Sequence, residues 1–197
     1  MMITVLTLSI VLPTPTNIIS QQQEALAQTN DNSTFNLYEN TTYGIQIQHP
    51  SDWETHEGDV EPDDDVTDIV SFFAPIGNDS ETDGPSLYIS IDNQSSNLNE
   101  NLNEYLTTTI NDYNDSEDFE VVESNTNSTL AGYPAYKLVF TDVDDDDINY
   151  ESMEFGTIIG DKVYFATYEA EEEQYSDYLP TVQKMIDSLK INALTID

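Results

Sequence analysis

The chain has 197 residues, with 39 acidic side chains against four lysines and no arginine, and a formal charge of −35 at neutral pH. That balance excludes nucleic acid and anionic lipid as partners, since both are met through a cationic face. Without an Arg fork or a GxxxxGKS/T loop it also excludes phosphoryl transfer.

With 38% hydrophobic residues the length suffices for one domain with a sizeable core. The absence of cysteine removes disulfides, thiolate catalysis and lipid attachment through a thiol.

Residues 3–12, ITVLTLSIVL, form an apolar run short of the ~20 residues that a bilayer span needs. A polar stretch follows and closes on Ala25-Leu26-Ala27, the small-x-small pattern that signal peptidases read. Residues 1–27 read as a signal peptide with Gln28 as the first mature residue, an uncleaved membrane anchor being the other reading. Residues 28–36 read as a polar tether, 37–192 as the folded domain and 193–197 as a tail. Six N-x-S/T sequons, at Asn32, Asn40, Asn78, Asn93, Asn114 and Asn127, suit an extracytoplasmic address and are glycosylation candidates.

Period-two alternation predicts the strands. YGIQIQHP points Tyr43, Ile45 and Ile47 one way and stops at Pro50, with DWETHE as its expected hairpin partner across the Pro-Ser turn. DIVSFFAP (68–75) and SLYISID (86–92) follow, separated by a loop rich in Gly, Asn and Asp. In the second of these, Leu87, Ile89 and Ile91 share a face. Strands resume at 119–124, 133–141, 150–159 and 162–170, the last two joined by Gly160-Asp161, a hairpin signal. A helix is predicted where Leu98, Leu102, Tyr105, Leu106, Ile110 and Tyr113 recur at helical spacing, with Asn97 and Glu100 as its capping pair. A closing helix carries Tyr178, Val182, Met185, Ile186 and Leu189 on one stripe. Ser176 is its expected cap, Pro180 falls in its first turn, and Lys184 and Lys190 lie in its second half. Many antiparallel strands with two helices make an α+β domain, one meandering sheet packed by helices.

Few residues offer chemistry. His49 and His56 are the only imidazoles, with Asp52 and Glu54 near in sequence. The turn at Pro50 separates them, no nucleophile elbow accompanies them, and both read as exposed hairpin side chains. Trp53 reads as the anchor of the hairpin on the core. Tyr88, Tyr164 and Tyr168 are expected on one sheet face, covered by a helix or open as a partner surface. Asp142, Asp144 and Asp146 occupy the first, third and fifth positions of a calcium-loop pattern. The pattern then fails, because Asp147 stands where Gly is needed and Met153 where a bidentate Glu is needed. The run therefore reads as a solvated hairpin tip with at most weak Ca²⁺ affinity and no other cofactor, like the second acidic stretch at 61–68.

Three stretches carry a resemblance: YENTTYGIQIQHPSDWE, TLAGYPAYKLVFT and YEAEEEQYSDYLPTVQKMIDSLKI. Together they resemble the opening strands, middle strand and closing helix of the PsbP family, and are most similar to its secreted archaeal members. The resemblance implies an α/β/α sandwich around a central antiparallel sheet, shared with a Mog-type Ran-binding relative. Photosynthetic members are extrinsic lumenal subunits of photosystem II that dock through lysines. This chain has almost none, so the resemblance implies a non-catalytic, secreted module acting on an unidentified extracytoplasmic protein of the cell envelope. The alternative is an acidic, glycosylated envelope protein that is structural or binds divalent cations weakly. An enzyme is not expected, since no nucleophile–base constellation or metal-ligand spacing stands out.

Overall fold

A computed structural model describes residues 34–58, 66–75, 84–92, 101–113, 118–144 and 146–192. The expected signal segment, most of the second acidic stretch and Asn97 with Glu100 lie outside the described residues. In chain order the elements are β1 (Phe35–Asn40), β2 (Ile45–Pro50), β3 (Glu54–Glu57), β4 (Val66–Phe73) and β5 (Ser86–Asp92), then α1 (Leu102–Tyr113). They continue as β6 (Glu120–Leu130), β7 (Tyr133–Val143), β8 (Asn149–Ile159), β9 (Lys162–Glu171), α2 (Glu172–Ser188) and β10 (Lys190–Ile191).

Among the described residues every paired strand is antiparallel, in a seven-stranded sheet ordered β3-β4-β5-β9-β8-β7-β6 and a small sheet ordered β1-β2-β10. Alternation divides the large sheet into two faces. One presents Leu87, Ile89, Ile91, Met153, Phe155, Ala166 and Tyr168, and packs with Tyr175, Val182, Met185 and Ile186 of α2. The other presents Tyr136, Leu138, Phe140, Val163 and Phe165 beneath Leu106 of α1. A helix on each face makes the α/β/α sandwich within an α+β fold. Gly160, with φ +69°, supplies the left-handed turn between β8 and β9 at the expected hairpin.

Several local expectations are corrected. The segment DWETHE does not pair with β2: β3 pairs with β4 in the large sheet, while β2 is flanked by β1 and β10. A proline turn says where a strand ends and not where the next one goes, and Trp53, 6% exposed, buries in the core as the chain crosses. The described capping box of α1 is Asn101 with Glu104: the Asn101 Oδ1 accepts from the Glu104 amide, and Glu104 Oε2 accepts from the Asn101 amide.

Ser176 caps nothing, because α2 already runs from Glu172 and Pro180 sits in its interior. An interior proline costs about 3 kcal/mol. Burial of Tyr175, stacked on Tyr168 at 4.9 Å, holds the turn that precedes it. Lys190 lies beyond this helix, in β10.

Candidate functional site

Among the described residues, α1 covers the sheet face beneath it only in part, and the part it leaves is polar. Register places Asp68 opposite Ser90 and Ser90 opposite Phe165; in the adjacent row Tyr88 faces Thr167, and Thr167 faces Glu154. Each position is even on β4, β5 and β8 and odd on β9, so the pleat turns all of them to the same side. From above, α1 adds Tyr105, Thr109, Asp112 and Tyr113, spaced to share one helical face. Together they enclose a groove of about 370 Å³.

Glu154 forms its floor. The side chain is 5% exposed, and three hydroxyls donate to its carboxylate: Tyr136 to Oε1 at 2.5 Å, and Tyr113 and Thr167 to Oε2 at 3.4 Å each. Burial pushes its pKa up, against the lowering effect of these hydroxyls. Burial likewise pushes up the phenols of Tyr136, Tyr113 and Tyr105, with the charge of Glu154 adding to the effect. Tyr113 is 38% exposed, yet its hydroxyl reaches inward to the floor. On the walls, Ser90 donates to Asp68 at 2.6 Å and Tyr105 to Asp92 at 3.2 Å.

Tyr136 reaches Glu154 because residue 156 is glycine. A Cβ there would collide with the tyrosine ring, which lies against the β8 backbone. A glycine in a strand interior signals such close approach, a cue in the sequence that points to this site. Glu154 itself gave none, since a carboxylate between Met153 and Phe155 alternates as a solvent-facing residue would.

The residues singled out from sequence scatter. His49 and His56 are not brought together, lying in different sheets. His49, expected exposed, is 8% exposed and packs on Phe72 at 4.8 Å. Burial lowers its pKa, opposed by a backbone hydrogen bond at Pro50. His56 is exposed and meets Glu54 at 2.8 Å. Tyr164 and Tyr168 face α2, but Tyr88, paired with Thr167, points to the opposite face and lines the groove. One odd-even step on β5 separates it from the expected partners. Trp53 is core.

Asp144 organises the β7–β8 hairpin tip: its Oδ1 accepts from the amides of Asp146 and Ile148, both at 2.9 Å. Asp142 stands on β7 opposite Tyr150, half-buried, its pKa raised by burial and then by the charge of Asp144. Asp146 is exposed. Of the sequons, Asn127 is exposed on edge strand β6 and Asn40 ends β1, its Oδ1 accepting from the Thr42 amide at 3.0 Å. Asn32, Asn78, Asn93 and Asn114 lie outside the described residues.

The fold has known counterparts. It is similar to the solution structure of cyanobacterial PsbP (CyanoP) from Synechocystis sp. PCC 6803, with TM-score 0.56 and 16% identity over 84% of this chain and 96% of that one. It is similar also to LpqN of Mycobacterium tuberculosis, described as involved in cell envelope biogenesis, with TM-score 0.55 and 11% identity over 83% and 87%. The Saccharomyces cerevisiae Ran-binding protein Mog1p gives TM-score 0.48 and 10% identity over 81% and 96%. No curated protein sequence matches the chain. At such identities the likeness speaks for the fold alone. The family profile described as PsbP-like protein matches residues 1–191, and the chain belongs to that family.

Proposed function

We propose that this protein is a non-catalytic binding and assembly module that works outside the cytoplasm on a cell-envelope partner. The observation that carries this reading is the groove beside α1. Its polar groups hold one another, hydroxyl to carboxylate, in a preformed concave surface rimmed by tyrosine. Rigid aromatic anchors around a few fixed polar groups are the makings of recognition. The envelope setting is supported by the signal-like segment and by the envelope role named for LpqN, a protein of similar fold.

The test is chemical cross-linking of the full-length chain in native envelope, followed by mass spectrometry. A discrete envelope protein cross-linked by the wild type and lost with Asp112→Lys, a charge reversal at the groove mouth, is the expected result. Cross-linking that ignores this substitution, or none at all, would sink the assembly role.

A second reading, an acidic and glycosylated envelope protein that binds cations weakly, has in its favour the exposed sequon at Asn127 and the formal charge of −35. A glycan on native Asn127, with no discrete cross-linked partner, would favour it.

A further inference from the structure

We propose that the groove is a receptor for a protonated alkylamine, an ammonium group on an apolar stem such as a lysine side chain carries. The proposal deepens the binding-module reading and rests on it.

Charge selects the sign of the ligand. Three carboxylates line the groove, on Asp68, Asp112 and Glu154, and none of the four lysines does. A cleft of one sign with low-dielectric walls concentrates counter-charged ligands. An anion would be repelled, and a neutral guest would leave a buried carboxylate without a counter-ion.

The walls then favour an organic cation. The space between the carboxylates is walled by the rings of Tyr88, Tyr105 and Tyr113. Tyrosine rings attract an ammonium through their quadrupole and cover an alkyl stem at the same time.

The floor supplies the ammonium's partner. Glu154 Oε1 accepts the short bond from Tyr136, whereas among the described residues Oε2 accepts the two 3.4 Å contacts from Tyr113 and Thr167. Bonds of that length are weak. An arriving ammonium, with three donors and a full charge, makes a shorter and stronger bond to the same oxygen. The volume of about 370 Å³ admits a short stem and its head group. The same chemistry comes from a free amine or from a lysine presented by a protein.

The test is calorimetric titration of the full-length chain at physiological salt with four probes: pentylamine, Nα-acetyl-lysine methylamide, pentanol and glucose. Expected is one-to-one binding of the amines, at least about tenfold tighter than pentanol. The tighter of the two amines identifies the source, free amine or presented lysine. Glu154→Gln, its fold checked by circular dichroism, should weaken amine binding by about tenfold. The exposed Asp112→Asn should weaken it several-fold without touching the floor.

Equal affinity for pentanol, a preference for glucose, or no amine binding overturns the proposal. So does amine binding that survives both substitutions, which would place the ligand elsewhere on the acidic surface. Loss of amine binding alongside a cross-linked envelope partner would leave the assembly reading standing, so the two ideas fail separately.

Discussion

The two faces of the large sheet are built by the same alternating strands and reach opposite ends. Beneath α2 the surface is closed and apolar: Met185 and Val182 are fully buried, and even the Tyr168 hydroxyl is consumed internally, donating to the Tyr175 carbonyl at 2.9 Å. Beneath α1 the shorter helix leaves part of the sheet open among the described residues, and none of them pairs a cation with the buried Glu154. One face spends its burial on stability. The other holds a carboxylate in an environment that disfavours its charge, and a perturbed buried group lining a cleft marks a candidate site.

The largest test of this contrast lies on the apolar face. Ile186 is 4% exposed against the sheet, so Ile186→Asp buries an unpaired charge and should cost more than ~3 kcal/mol, read from urea midpoints. A midpoint near wild type would mean that α2 is not core.

On the polar face, Gly156→Ala should cost roughly 1–3 kcal/mol, because its methyl collides with the Tyr136 ring. It should also free Glu154 from its shortest hydrogen bond and so alter the groove. An unchanged melting temperature would show that the ring is not held against the β8 backbone.

Much of this architecture was legible in the chain. Strand alternation at Leu87, Ile89 and Ile91 and the stripe through Val182, Met185 and Ile186 gave the apolar face almost directly, because burial against a helix writes a period into sequence. What stayed hidden depended on which element covers which. Tyr88 is one residue from Leu87 and Ile89, and only strand pairing shows that it turns into the groove. Nothing local to His49 says that β1 and β10 will flank its strand, so its burial against Phe72 was missed. Pro180 misled for a similar reason: the contact that sustains the preceding turn, Tyr175 on Tyr168, comes from tertiary packing.

Two buried titratable groups, His49 and Glu154, sharpen the comparison at smaller cost. His49 has a lowered folded pKa, so its contribution to stability is complete above the ordinary value of 6.5 and is lost as pH falls below it. Glu154 has a raised folded pKa, so its contribution is complete below the ordinary value of 4.5 and is lost as pH rises through the folded value. Glu154→Gln should therefore gain stability over wild type with rising pH, while His49→Leu should flatten the loss between pH 6.5 and lower values. Melting curves across pH check both. Parallel pH profiles for wild type and variants would remove the distinction.

Smallest of all is the hairpin tip, away from both faces. Asp144→Asn keeps the Oδ1 acceptor that ties Asp146 and Ile148, and should shift stability by no more than about 0.5 kcal/mol. Calcium is expected to bind the tip only at roughly millimolar concentration. A micromolar calcium site abolished by this change would transfer the functional interest from the groove to the tip.

The central claim is that Glu154 sits desolvated at the floor of a binding groove, and side-chain carboxyl ¹³C NMR observes this directly. In a pH titration of the full-length chain, the Glu154 signal, assigned by its absence in Glu154→Gln, should titrate above the ordinary glutamate value of 4.5 and apart from the surface carboxylates. Addition of pentylamine should then pull that titration back down. A Glu154 signal that titrates with the surface acids and ignores the amine would contradict the account.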